Sequence, residues 1–173
     1  MDSLTYQAQI NAMNEQIKIL KDQFEIENTP YLRVEIEKLD IEINKALNIT
    51  YFTFNLGKHP VRVNSTKISV IALDKSIAPV YKNIFADVKE QKVNFYITNQ
   101  FPHGTNFLPE FIVDKMVYDK LDSKQWFLYL AGEEIYTNLI NGKPRMFRFL
   151  IRFDVVKQPI GITVLENENI PIN

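Results

Sequence analysis

From Tyr6 to Phe24 the apolar residues Tyr6, Ile10, Met13, Ile17, Leu20 and Phe24 recur in steps of four, three, four, three and four, and no glycine or proline interrupts the chain before Pro30. That 3.5-residue period is the seam of a coiled coil. It predicts a helix from about residue 3 to residue 27, capped by Asp2 or Ser3. From Pro30 the period drops to two, with Leu32, Val34 and Ile36 alternating with Arg33, Glu35 and Glu37. Alternation of this kind suits a strand with one buried face, so the chain is expected to be a helix followed by a β domain. Leu39, Ile41 and Ile43 continue on the opposite parity, which requires a bulge or tight turn near Glu37-Lys38 if one face is to stay buried.

With Ile10, Ile17 and Phe24 at the first seam position, Gln9, Gln16 and Gln23 share one flanking position. Uncharged flanks do not select partners by charge, so the seam itself must carry any association. Three occupants suit such a stripe: the β domain of the same chain, a second copy, or a different protein.

Further β-prone runs follow from Ile49 to Asn55, Val61 to Leu73 and Val93 to Ile97. Between them residues 76–91 read as a loop with one helical turn, and Ile112, Met116, Val117 and Leu121 share one face of a short helix over residues 111–121. Trp126 to Ala131 is apolar on both faces, as a central strand covered from both sides would be. Asn141-Gly142 suits a two-residue type I′ hairpin, which places Tyr136 opposite Phe147 and Glu133 diagonal to Arg148. A late strand to about Leu165 and a frayed tail over residues 166–173 complete the chain. Seven or eight short strands without βαβ alternation predict a mainly β fold. It is expected to be an antiparallel sandwich over residues 29–165, preceded by one long amphipathic helix over residues 1–28 as a candidate stalk.

The chemical inventory is narrow. Twenty Lys and Arg against 21 Asp and Glu leave a formal charge of −1, which provides no global attraction to phosphate or anionic lipid. The absence of cysteine excludes disulfides, cysteine zinc sites, thiol nucleophiles and iron–sulfur clusters. The five glycines are far apart, so there is no phosphate-binding loop, and no Gly-x-Ser-x-Gly elbow is present. Glu133 and Glu134 are adjacent, and as neighbours on a strand they point to opposite faces and cannot act on one bond. His59 and His103 both occupy turn contexts; a catalytic role would need them to converge with two or more carboxylates, and otherwise they are solvated or turn-packing imidazoles. No cofactor or metal site is expected.

Two groups are candidate recognition surfaces. Phe101, His103 and Phe107 lie in a polar segment, residues 98–109, where the alternative role for both phenylalanines is to plug the end of the core. Arg148 and Arg152 share a strand face with Leu150 between them, a stripe suited to neighbouring glutamates or an anionic protein partner. That face shows no aromatic to stack a base, so nucleic-acid binding is not expected. The longest apolar run, Trp126 to Ala131, is too short to span a bilayer, and no basic and apolar leader precedes residue 5. A cytoplasmic or membrane-peripheral location is expected rather than secretion.

Three motifs fall in a familiar order. Thr29-Pro30-Tyr31 opens the first strand, Asn55-Leu56-Gly57-Lys58-His59-Pro60 forms a turn, and Tyr129, Gly132, Tyr136, Gly142, Phe147 and Phe149 punctuate a late hairpin. In this order the chain resembles a loose group of uncharacterised bacterial membrane-associated proteins with a Gln-rich helical stalk before a small immunoglobulin-like β-sandwich. The resemblance implies that sandwich fold and a membrane-associated setting, and it carries no activity and no functional residues. Members usually have transmembrane helices ahead of the stalk, and this sequence has none. Taken together, the residues lead us to expect a non-enzymatic assembly or interaction module acting on itself or a protein partner through its helix. A structural or adaptor subunit of a phage or similar particle is the alternative, and a small enzyme using His59, His103 and carboxylates is the third.

Overall fold

A computed structural model of the chain describes residues 3–155 and 160–172. A 26-residue helix, α1 (Ser3–Asn28), precedes eight strands: β1 (Leu32–Asp40), β2 (Asn48–Asn55), β3 (Val61–Asp74), β4 (Gln91–Ile97), β5 (His103–Phe107), β6 (Trp126–Asn138), β7 (Pro144–Asp154) and β8 (Gly161–Pro171). Two short helices, α2 (Tyr81–Ile84) and α3 (Lys115–Asp122), fill connections. The strands form two antiparallel sheets, a three-stranded one in the order β1-β2-β5 and a five-stranded one in the order β4-β3-β6-β7-β8. Among the described residues no helix is long and apolar enough to cross a membrane.

Alternation decides what each sheet buries. Ile49 and Tyr51 of β2 meet Leu128, Leu130 and Tyr136 of β6 and Phe147, Phe149, Ile151 and Phe153 of β7 in one core between the sheets. The opposite face of the larger sheet carries a second cluster, in which Tyr129, Ala131 and Leu150 pack with Ile84 of α2. β6 is therefore covered on both sides, as its apolar run predicts. The required bulge in β1 falls between Ile36 and Lys38. A second, between Val63 and Ser65 of β3, moves the inward set from Val61 and Val63 to Thr66, Ile68 and Val70.

Four expectations need correction. The β6–β7 hairpin closes with a four-residue loop, Leu139 to Gly142, because the Asn138 side chain accepts a hydrogen bond from the Ile140 amide (2.9 Å) and the Gly142 amide donates to the Asn138 carbonyl (2.8 Å). Gly142 takes the left-handed φ of 67° that this closure needs. Tyr136 thus lies opposite Arg145, and Glu133 lies directly opposite Arg148 rather than diagonal to it. A two-residue slip leaves every side chain on its expected face. The second correction concerns α3, which starts at Lys115 because Asp114 caps it, its carboxylate accepting from the Val117 amide at 2.8 Å; Phe111 and Ile112 precede the helix. Third, the segment expected to be a polar loop contains β5, paired to β2.

The fourth correction is the tail. Residues 166–171 belong to β8, hydrogen-bonded along β7 as far as Pro171, and they close one side of the sandwich. Asn169 Oδ1 accepts from the Leu32 amide and from the Tyr136 hydroxyl, both at 3.0 Å, while its Nδ2 donates to the Leu32 carbonyl at 3.1 Å. Asn167 donates to the same carbonyl. A polar tail pairs because its amides find backbone partners on β1, a gain that composition does not reveal. Asn169→Ala should cost about 2 kcal/mol, since it removes the partner of the Leu32 amide and the nearer acceptor of the Tyr136 hydroxyl, while Asn167 still serves the Leu32 carbonyl; the check is a lower urea midpoint at unchanged m-value.

Candidate functional site

The seam of α1 faces solvent. Met13, Ile17, Leu20 and Phe24 retain 61%, 45%, 64% and 57% of their surface, while Ile10 is half-buried and the side chain of Tyr6 lies outside the described residues. Packing on the chain's own β domain therefore does not account for the stripe from Met13 to Phe24. Near its C-terminal end the helix is tied to the sandwich. The Asn28 carbonyl accepts from Asn138 Nδ2 at 3.1 Å, and the His59 ring shares a hydrogen bond with Asn28 Oδ1. The turn around His59 is itself held by Asn55, whose amide group donates to the His59 carbonyl (2.7 Å) and accepts from the Gly57 amide (2.9 Å). Gly57 is required at this joint because a Cβ there would lie 2.9 Å from Pro30 Cα. His59 is thus part of the joint between α1 and the sandwich.

The arginine stripe is occupied within the chain. Arg148 Nε donates to Glu133 Oε2 at 2.9 Å, the pairing that strand-face arginines favour. Its guanidinium also lies 5.3 Å from the centre of the Tyr81 ring, and that of Arg152 lies 4.7 Å from the Phe127 ring. The face does carry aromatics, then, contrary to the expectation from β7 alone. They come from α2 and from the neighbouring strand, which the spacing within β7 does not contain. The third group divides: Phe107 packs on the main core, His103 stacks on Phe95 with ring centres 3.7 Å apart, and Phe101 stays exposed in the β4–β5 loop. The plugging role holds for Phe107 and not for Phe101.

Where β1 and β8 close one side of the sandwich, the opposite side, between edge strands β4 and β5, holds a cavity of about 300 Å³. Glu134 of β6 projects into it from the inward-facing series Leu128, Leu130, Gly132, Glu134 and Tyr136, and it is only 2% exposed. Burial pushes its carboxyl up to about 7. Tyr51 is fully buried across the gap, and burial together with the nearby Glu134 charge pushes its hydroxyl well above the usual range. Thr53 and Thr105 temper these shifts without reaching hydrogen-bond geometry to either group. His103 lines the same cavity, and burial lowers its affinity for a proton, which keeps the ring neutral.

Glu134 Oε2, the Tyr51 hydroxyl and the Thr66 hydroxyl are buried without a hydrogen-bond partner among the described residues. The cavity thus gathers one histidine and one carboxylate, with His59 placed at the C-terminal end of α1. No group of three His, Asp or Glu able to hold a metal ion occurs among the described residues. Glu133 and Glu134 do divide between two faces, and the consequence that sequence reasoning missed is where the second one goes. The available signal was parity: Glu134 shares its face with Leu128, Leu130 and Tyr136, and a lone acid in an inward series is a buried acid. No protein-family model and no curated protein matches this sequence.

Proposed function

We propose that the chain is a non-enzymatic assembly module whose α1 helices pair, copy to copy, and present the sandwiches from the C-terminal ends of the paired stalks. The observation that carries this reading is the exposure of Met13, Ile17, Leu20 and Phe24 along a single 3.5-residue seam. In proteins most of a helix's stability comes from packing its apolar face, and a row of large apolar side chains left in solvent favours a partner. A second copy is the occupant that the flanks suit. In a parallel pair Gln9 would face Asn14 and Gln16 would face Lys21, so no like charges oppose each other. Ile10 and Ile17 at one seam position with Leu20 at the other are the choices that favour two strands.

An immunoglobulin-like sandwich belongs to the same reading. Lettered in chain order, β1-β2-β5 reads A-B-E and β4-β3-β6-β7 reads C′-C-F-G, with β8 added beside G. That order supports the reading, as does the succession of stalk and sandwich in the bacterial proteins the chain resembles.

The test is the triple substitution Ile10→Glu, Ile17→Glu and Leu20→Glu. Light scattering should report an oligomer for the unaltered chain and a monomer for the variant, with the β signature in circular dichroism intact. An unaltered chain that is monomeric at high concentration overturns the proposal.

A further inference from the structure

The gap between β4 and β5 has the chemistry of a binding site rather than of a packing flaw. A dry void in a core is lined by apolar groups, whereas this one gathers three buried oxygen atoms that lack partners among the described residues. Thr66 and Glu134 are register partners on β3 and β6, so their side chains stand side by side, and Tyr51 reaches the same space from the facing sheet. All three can accept a hydrogen bond, the carboxylate oxygen of Glu134 and the lone pairs of the Tyr51 and Thr66 hydroxyls, and the two hydroxyls can also donate. Phe95, Phe107, Ile68 and Val93 supply an apolar wall beside them. At about 300 Å³ the space is at the small end of ligand pockets.

We propose that this cavity binds a small primary amine with an apolar body, its ammonium group seated on Glu134, Tyr51 and Thr66 and its body lying against Phe95 and Phe107. A primary ammonium has three donors, and the Glu134 carboxylate and the lone pairs of the Tyr51 and Thr66 hydroxyls can each accept one. Its charge compensates the one buried carboxylate, which a neutral head group would not do. Lys89, at the solvent-exposed mouth, would disfavour a second cationic group on the ligand, so a monoamine is specified rather than a polyamine.

The groups facing Glu134 across the cavity are Tyr51 of β2 and neutral His103 of β5, with Lys89 at the mouth. Among these, Glu134 is the group that changes charge near neutrality, since its carboxyl titrates at about 7. Amine binding should accordingly be tighter at pH 8 than at pH 6.

The experiment uses 2-phenylethylamine as probe and 2-phenylethanol as its uncharged counterpart, each titrated into the full chain by calorimetry and by amide chemical shifts. The expected result is amine binding with shifts centred on Thr66, His103 and Glu134. The alcohol should bind roughly tenfold or more weakly, and Glu134→Gln should lose roughly tenfold or more in amine affinity. A melting temperature of Glu134→Gln at or above that of the unaltered chain shows that the loss is not unfolding, and Tyr51→Phe, which retains the acid, should lose less. Equal binding of amine and alcohol, full affinity in Glu134→Gln, or no shift at cavity residues with millimolar amine each overturns the proposal and leaves water as the occupant. None of these outcomes depends on self-association of α1.

Discussion

Gly132→Ala is expected to destabilise the protein by about 3 kcal/mol, at the upper end of what over-packing a core costs. Gly132 lies on the inward face of β6, directly opposite Phe149 of β7. A Cβ built at this position would fall 2.0 Å from Phe149 Cζ and 2.1 Å from Cε1, far inside van der Waals contact. The ring covers the glycine, and it has nowhere to retreat. Phe149 is fully buried, with its ring centre 5.8 Å from that of Tyr51 on the facing sheet and 5.6 Å from that of Phe147 on its own strand. Moving it would displace Tyr51 or open the sandwich. Chemical denaturation should show the loss in Gly132→Ala and partial recovery in Gly132→Ala with Phe149→Leu, which vacates the space that the methyl needs. A coupling free energy near zero in that double-mutant cycle would mean that the ring swings aside freely.

Glu134→Gln should stabilise the protein at pH 8 by about 3 kcal/mol and leave it unchanged near pH 4. Burial raises the Glu134 carboxyl from the ordinary 4.5 to about 7, and each tenfold gain in proton affinity corresponds to about 1.4 kcal/mol. The folded chain therefore holds this proton more tightly than the unfolded chain does. Between pH 4.5 and about 7 the native state binds more protons, so stability falls as pH rises through that window and levels off above it. Glutamine cannot ionise, and its amide can use the hydroxyls of Tyr51 and Thr66, so the variant's stability profile should lose this slope. Urea midpoints at pH 4, 6 and 8 provide the comparison. A variant less stable than the unaltered chain at both pH 4 and pH 8 would mean that the carboxylate has a partner in solution.

These two sites differ in how much the sequence could say about them. Gly132 is visible as punctuation between Ala131 and Glu133, but nothing local says that an aromatic on the next strand lies across it. The hairpin register decides that, and the register depends on whether Asn141-Gly142 forms the whole loop or only its end. The Asn138 side chain chooses the longer loop. Glu134 is closer to legible, since strand parity alone turns it inward. Its orphaned oxygen, the neutral histidine and the cavity required β4 and β5 to be placed, and β5 lies in a stretch of Asn, Gly, Thr and Pro with no alternating signal of its own.

Local pattern determined most of the elements of this chain: a 3.5-residue seam makes α1, alternation makes β1 and β4, β-prone runs make β2 and β3, and a doubly apolar run makes the buried β6. Those patterns are readable because a helix or strand is defined by spacing along the chain. The tertiary structure alone decided which strand lies beside which, that the polar segment 166–171 would pair and close one side, that aromatics from α2 and β6 would cover the arginines, and that Glu134 would face a cavity instead of packed side chains. Such outcomes depend on loop closures and on contacts between residues distant in sequence, whose energies no local window contains.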